Sequence, residues 1–251
     1  MKIVTQATMD EHGSMTTKYR LTHDHTFESS DVQSLNNRTF LELHEPVKFG
    51  FSMSRIIHRI LLYRWHYPSK QIFISKFDWK SAYRRIHTDY DTAVESCTMI
   101  CNWMVINLRL TFGGRPCPSE FCVVSDVTAD LATDIANHGN FRPGIFQVEN
   151  KHLIGKKSSS NQTKEPALEL SPNFFGAQHE HVANECFIDD DIAMAVDIGN
   201  AVEAMVEASM LAIQAVSRPL CNSEETPRKD TLSLTKLKAE DTSSTVQKVL
   251  G

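Results

Sequence analysis

Three carboxylates in two distant segments of the chain could act together in phosphoryl transfer. Asp78 follows a strand-like run over residues 71–77 that is rich in Ile and Phe, and Asp189 and Asp190 form a doublet between two apolar runs. Carboxylate oxygens suit Mg²⁺, and a pair of such ions can activate the attacking oxygen and stabilise the leaving group of an in-line displacement. An exposed acidic turn is the simpler explanation of the doublet, but adjacent like charges between apolar strands favour a bound cation. The neighbouring Asp191 receives no metal-binding role.

Other residues of suitable type could contact a nucleotide. Tyr83 follows Asp78 closely, Phe112 and Gly113 open a glycine-rich turn, and Arg20 lies in an amino-terminal segment that is expected to form a hairpin. Glycine lets a backbone approach a ligand, and a guanidinium group suits phosphate oxygens. Simple core packing is the alternative for Tyr83, and an ordinary surface position is the alternative for Arg20.

The acidic and glycine-rich segments, in this order, resemble motifs A, B and C of the reverse transcriptase palm, in the form found in LTR-type retroelements. Asp78 resembles the aspartate of motif A. Residues 187–190 resemble motif C, with Phe187 in place of the usual tyrosine. The positions that match motif B are Phe112, Gly113, Pro118 and Phe121, and the departures from it are Thr111, Gly114, Pro116 and Cys117.

This resemblance implies an RNA-directed DNA polymerase that adds deoxynucleotides to a primer 3′-hydroxyl on an RNA or DNA template. Asp78, Asp189 and Asp190 would be the catalytic residues and would hold two Mg²⁺ ions, for which Mn²⁺ could substitute. The partners would be template with primer and dNTPs, and a longer polyprotein could add RNase H and integrase modules.

The resemblance also assigns substrate contacts. Tyr83 would pack beneath the incoming sugar and exclude a 2′-hydroxyl, and Arg20 would hold the triphosphate. Phe187 would lie against the primer end. Phe112 and Gly113 would line the approach to nucleotide and template.

The implied fold is α+β, a right-hand polymerase palm with partial fingers and a largely missing thumb. Its expected divisions are partial fingers over residues 1–75, a palm over 76–216 and a polar tail over 217–251 that could begin the connection to a thumb. The palm would enclose a fingers segment at about 88–112 and an insertion without ordered structure at about 139–185.

Local patterns predict the elements that must position these residues. They indicate an amino-terminal hairpin (4–9 with 18–27), a helix at 52–66 ended by Pro68, a strand at 71–77 and a short helix at 81–87. Residues 98–110 are expected to be helix and then strand. Ser119 is expected to cap one later helix and Asn200 another, with a strand, acidic turn and strand over 186–196.

Composition and charge limit the possible partners and location of the chain but do not identify its function. The net charge of −5 gives no global sign of nucleic-acid binding, but eight Lys and Arg side chains surround Asp78 between residues 54 and 87. Such a field suits phosphates, although most basic clusters are solvated helix faces. The six cysteines show no zinc-ligand spacing. With neither a signal peptide nor a membrane-spanning run, the expected location is intracellular.

Two alternatives to an active polymerase stay open at this point. The first is a catalytically inactive relic or domesticated module that keeps the fold and binds nucleic acid. The second is a different two-metal enzyme, such as a nuclease.

Overall fold

The amino-terminal part of the molecule consists of a hairpin and two helices. The computed structural model describes residues 2–9, 14–44, 49–138, 180–217, 230–233, 237 and 243–246. Strands β1 (Lys2–Met9) and β2 (Met15–Thr22) form an antiparallel hairpin, which confirms the predicted hairpin. The second strand covers residues 15–22, so its predicted range of 18–27 is wrong. They are followed by the short helix α1 (Leu35–Arg38) and by α2 (Ser52–His66), whose bounds agree with the predicted helix.

The middle of the chain departs from one sequence prediction. Strand β3 (Ile72–Asp78) and helix α3 (Tyr90–Glu95) precede two short strands, β4 (Thr98–Ile100) and β5 (Trp103–Val105), which pair with each other. The prediction of a helix at the start of residues 98–110 is therefore wrong. A short apolar run has no decisive period, and the left-handed backbone of Cys101 (φ 54°) reverses the chain after three residues.

The remaining elements are helix α4 (Cys117–His138), strands β6 (Val182–Phe187) and β7 (Asp190–Val196), and helix α5 (Ala201–Ser217). Helix α5 begins directly after Asn200, as predicted. Helix α4 begins before the predicted cap Ser119, which lies buried in its first turn, so that capping prediction is wrong.

The insertion without ordered structure that was expected at about 139–185 ends too late in the chain, because its last residues form a strand. Residues 139–179 lie outside the described residues, and residues 182–185 belong to β6.

A short 3₁₀ turn (Ala82–Arg85) stands where a short helix was predicted after β3.

The fold is α+β, with a three-stranded antiparallel sheet in the order β3-β7-β6 packed against α4 and α5. Because side chains alternate across a strand, each face of the sheet carries its own apolar cluster. The helix-covered face includes Phe77, Phe121, Ala193, Met205 and Ile213. The opposite face packs beneath α2 and includes Ile56, Tyr63, Ile72, Ile192 and Met194.

Described parts of the carboxy-terminal tail return to the free edge of β3. Leu232 bridges Trp79, and Ser244 exchanges two backbone hydrogen bonds with Ile74. Leu232 and Leu237 are both buried in the main core. The rest of residues 218–251 lies outside the described part of the chain. Among the described helices, none combines the length and apolar character needed to cross a membrane.

Candidate active site

The sheet register brings the two acidic segments to the same edge of the sheet. Asp78, the last residue of β3, is the direct cross-strand partner of Asp190, the first residue of β7. Phe187 of β6 pairs with Asp190 from the other side. Directly opposed residues of an antiparallel pair project to the same face. Asp78, Asp190 and Phe187 therefore form one row across the three strands.

The turn that joins β6 to β7 has unusual backbone geometry. Ile188 has a φ of 58°, a left-handed value that a β-branched side chain strongly disfavours. Asp189 follows it in the turn, and its carbonyl accepts a hydrogen bond from the Trp79 N–H at 3.2 Å. This bond ties the acidic turn to the residue after Asp78. Strain of this kind is found where the surrounding structure fixes a functional turn.

Asp78 and Asp190 are cross-strand partners and Asp189 lies in the adjoining turn, but the three side chains are not placed to hold a metal ion together. The Oδ2 of Asp190 lies 3.1 Å from the Nζ of Lys76, which is on the same face of β3. Among the described residues, no group of three His, Cys, Asp or Glu side chains is placed to hold a metal ion. The donor chemistry suits Mg²⁺, but this arrangement of the side chains does not form a three-carboxylate metal site.

Tyr83 lies beside a small cleft at the glycine-rich turn. The cleft of about 220 Å³ is lined by Tyr83, Thr111, Phe112, Gly113, Gly114, Arg115, Cys117 and Pro118. The Tyr83 ring meets the Phe112 ring edge-on, with centroids 4.9 Å apart. Burial, and then the charge of Asp189, raises the pKa of the Tyr83 hydroxyl. The electrostatic influence of Asp189 therefore extends to this cleft.

Gly113 makes a close backbone contact with the segment that follows β2. Its φ is 106°, and a Cβ built on it would lie 2.2 Å from the carbonyl oxygen of His23. The His23 N–H in turn donates to the carbonyl of Phe112 at 3.3 Å. In this structure the missing side chain of Gly113 makes room for the protein's own chain.

Asn36 holds the glycine-rich turn from the same side. Its Nδ2 donates to the Gly113 carbonyl at 3.0 Å, and its Oδ1 accepts from the Arg115 N–H at 2.7 Å. His25, which is buried, contributes a 2.8 Å contact between its Nε2 and the Thr111 hydroxyl. Sequence reasoning missed Asn36 altogether, because one polar residue in a loop carries no pattern.

Of the two remaining predicted substrate residues, the structure describes the side chain of Phe187 but not that of Arg20. Arg20 lies in β2 opposite Val4, and its side chain lies outside the described part of the structure. Phe187 is partly buried and packs against the apolar cluster beneath α2. The structure thus groups Tyr83, Phe112 and Gly113 at the cleft, and places Phe187 in the row with the carboxylates.

The basic cluster around Asp78 is partly neutralised by acidic side chains from the second half of the chain. Arg55 lies 2.5 Å from a carboxylate oxygen of Glu185, and the corresponding distance from Arg59 to Glu180 is 3.6 Å. With the Lys76 pair, three of the basic residues have carboxylate partners. The expectation of a positive field around a single acid is therefore wrong in part, because the fold supplies acids that are distant in sequence.

Asp191 lies on the opposite face of the sheet from Asp190. It is the cross-strand partner of Phe77 and Cys186, and it is fully buried. Neither carboxylate oxygen has a hydrogen-bond partner. Burial, and then the charge of Glu185, raises the pKa of Asp191 to about 7. The side chain points away from the row of Asp78 and Asp190.

Comparisons with protein-family models, with curated proteins and with solved structures found no match for this chain.

Proposed function

We propose that this chain is the palm and partial fingers of an RNA-directed DNA polymerase from a retroelement. The observation that supports this most is the cross-strand pairing of Asp78 with Asp190, with Asp189 in the adjoining strained turn. Two acidic segments far apart in sequence meet at one edge of an antiparallel sheet. Such an edge can present carboxylates to metal ions that bind the phosphates of a nucleotide, and two-metal nucleotidyl transfer needs that placement.

The proposed roles follow from position. Asp78, Asp189 and Asp190 would hold Mg²⁺, which when bound lowers the pKa of the primer hydroxyl and neutralises charge on the triphosphate. This requires the three carboxylates, which do not form a metal site in this structure, to turn toward one another, and the Asp190 carboxylate to leave Lys76. Tyr83 would limit space for the sugar at the cleft, and Phe112 and Gly113 would form the wall of the cleft.

Primer extension on a poly(rA) template with an oligo(dT) primer tests the proposal. The chain should extend the primer with Mg²⁺ or Mn²⁺, and Asp189→Asn should lose at least about a hundredfold in rate, as expected when a charged group that acts on the reacting atoms is removed. Asp197→Asn is the matched control, because Asp197 is exposed just beyond the far end of β7. Degradation of the primer without extension would support a nuclease instead.

A second candidate is a nucleic-acid-binding module without catalysis. The ion pair of Lys76 with Asp190 favours it, because a carboxylate held by an ammonium group is not available to a metal. If the chain and Asp189→Asn both fail to extend a primer, yet bind the template–primer duplex equally, this second function replaces the first. Binding should weaken with salt in either case, since it would depend on phosphate contacts.

A further inference from the structure

The hairpin formed by β4 and β5 exposes large apolar side chains along its whole length. Trp103 is 78% exposed and Met99 is 63% exposed. The other exposed large apolar residues of this segment are Ile100, Met104, Val105, Ile106 and Leu108. Single exposed apolar residues are common on proteins, but a continuous group of them marks an interaction surface.

These side chains cover both faces of the hairpin. Ile100 is the direct cross-strand partner of Trp103, and Met99 is the partner of Met104. Direct partners project to the same face, so Trp103 and Ile100 lie on one face and the two methionines on the other. In the described part of the chain, neither strand pairs with a third strand. A two-stranded hairpin of this kind has little stability of its own in water and gains from a partner.

The base of the hairpin is fixed to the rest of the molecule. The Thr98 hydroxyl lies 3.0 Å from Nδ1 of His23, and the Thr88 N–H donates to the Leu108 carbonyl at 3.3 Å. Asn107 closes the base, because its side-chain amide donates to the Ser96 carbonyl at 3.4 Å. The apolar residues beyond this base therefore form a surface with a defined position.

The charges around the hairpin limit the kind of partner that suits it. Residues 96–108 contain no Lys, Arg, Asp or Glu. The acids Asp91 and Glu95 precede this segment, and the guanidinium group of Arg109, which follows it, donates to the Arg85 carbonyl at 3.3 Å. Surfaces that bind membranes or single-stranded nucleic acid place Lys and Arg among their apolar or aromatic residues, and residues 96–108 offer none.

We propose that the β4–β5 hairpin is a self-association surface, on which the Trp103 face of one copy packs against the same face of a second copy. Residues near a two-fold axis meet their own equivalents, so a charged surface would repel its copy and this uncharged surface does not. Homodimer interfaces are rich in apolar area, with aromatic residues and Met enriched and charges depleted. Trp103 is the anchor of the contact, since Trp is enriched among the residues that carry most of the binding energy. The surface includes no residue of the proposed polymerase site, and its role does not depend on that activity.

Sedimentation velocity of the purified full chain over a range of concentrations tests this. We expect a monomer–dimer equilibrium that persists at high salt, because no charged pair joins the two hairpins. Trp103→Glu should raise the dimer dissociation constant at least about a hundredfold, since it removes the anchor and places two negative charges in the contact.

Two further variants separate the loss of the surface from a loss of the fold. Trp103→Phe keeps an aromatic side chain and should keep the dissociation constant within about tenfold of the original value. Trp65→Glu is the matched control, because Trp65 is 83% exposed on α2, outside the hairpin, and it should leave the dimer unchanged. Circular dichroism of each variant establishes that the fold is retained.

The proposal is overturned if the chain is a monomer at every concentration, or if Trp103→Glu and Trp65→Glu affect the dimer equally. It is also overturned if a monomeric chain binds vesicles of neutral phosphatidylcholine and Trp103→Glu does not, because lipid would then be what covers the hairpin. A dimer that Trp103→Glu alone disrupts supports the proposal, whether or not the chain extends a primer.

Discussion

Asp78 and Asp190 are direct partners in the antiparallel pair of β3 and β7, so two acidic side chains share one face at the same edge of the sheet. Like charges in directly opposed positions destabilise a sheet. The Lys76 ammonium group, 3.1 Å from Oδ2 of Asp190, offsets part of this repulsion, and the fold tolerates the rest as a local cost at this edge. Such costs are typical of sites that are shaped for function.

Replacing Asp78 by Asn should change the stability of the fold and the proposed activity in opposite directions. Without divalent ions, Asp78→Asn removes the repulsion, and we expect the free energy of unfolding to rise by about 0.5–1 kcal/mol. Urea denaturation in the presence of EDTA measures this change. The same variant should lose primer extension, whereas Asp197→Asn should change neither property. A marked loss of stability in Asp78→Asn would show that the Asp78 side chain stabilises the fold, which would contradict this prediction.

Gly113→Ala should destabilise the molecule by about 2–3 kcal/mol, because it adds a Cβ at a left-handed backbone position and against a backbone carbonyl. The contact would be 2.2 Å from the carbonyl oxygen of His23, an atom that cannot rotate away. Thermal or urea denaturation checks the change. Gly50→Ala is the matched control, since nothing lies within 4 Å of a Cβ at that position. Equal effects of the two substitutions would show that the approach of His23 to Gly113 is not tight.

Asn36→Asp tests whether the side-chain amide holds the glycine-rich turn. The substitution keeps the oxygen that accepts from Arg115 but replaces the N–H group that donates to the Gly113 carbonyl. We expect a loss of about 1–3 kcal/mol, the usual cost of leaving a buried polar group unpaired. Asn102→Asp is the control, because Asn102 is exposed in the turn between β4 and β5. A similar loss in both variants would point to a general effect of added charge.

The sequence allowed the main elements to be predicted where periodicity and end signals agreed. Helix α2 and the amino-terminal hairpin have such signals, and both are present, although the second strand of the hairpin lies at residues 15–22 and not at 18–27. Residues 98–105 lacked them, because a short apolar run fits helix and strand equally well. Their actual pairing depends on a left-handed turn at Cys101, which no residue preference indicated.

The candidate site was predictable in part. Local patterns placed Asp78 at the end of a strand and Asp189 in a turn, and both positions agree with the structure. The partners of these segments could not be predicted, because they come from distant parts of the chain. The ion pair of Lys76 with Asp190 depends on a strand register that a single sequence does not reveal.

The buried carboxyl group of Asp191 should make stability fall as the pH rises. Its pKa is about 7 in the folded chain, against an ordinary value of 3.8. Below pH 3.8 both states are protonated, and between these values the unfolded chain releases a proton that the folded chain keeps. The free energy of unfolding should therefore decrease across this window, by up to about 4 kcal/mol.

Asp191→Asn removes the group responsible for that decrease. Urea denaturation at pH 5 and pH 8, with EDTA present, should show a smaller pH dependence in Asp191→Asn than in the original chain. The control is Asp130→Asn, because Asp130 is exposed on α4. An unchanged slope in Asp191→Asn would mean that another group sets the pH dependence.

The carboxy-terminal tail should contribute to the stability of the sheet that carries Asp78. Leu232 is 3% exposed and bridges Trp79, while the neighbouring Ser233 N–H donates to the Asp78 carbonyl at 2.9 Å. Leu232→Ala should cost about 2–4 kcal/mol, since it removes buried methyl groups from the core. Val246→Ala, at a position that is 84% exposed in the same tail, should cost almost nothing. Equal urea-denaturation midpoints for the two variants would show that Leu232 in the tail does not stabilise the sheet that carries Asp78.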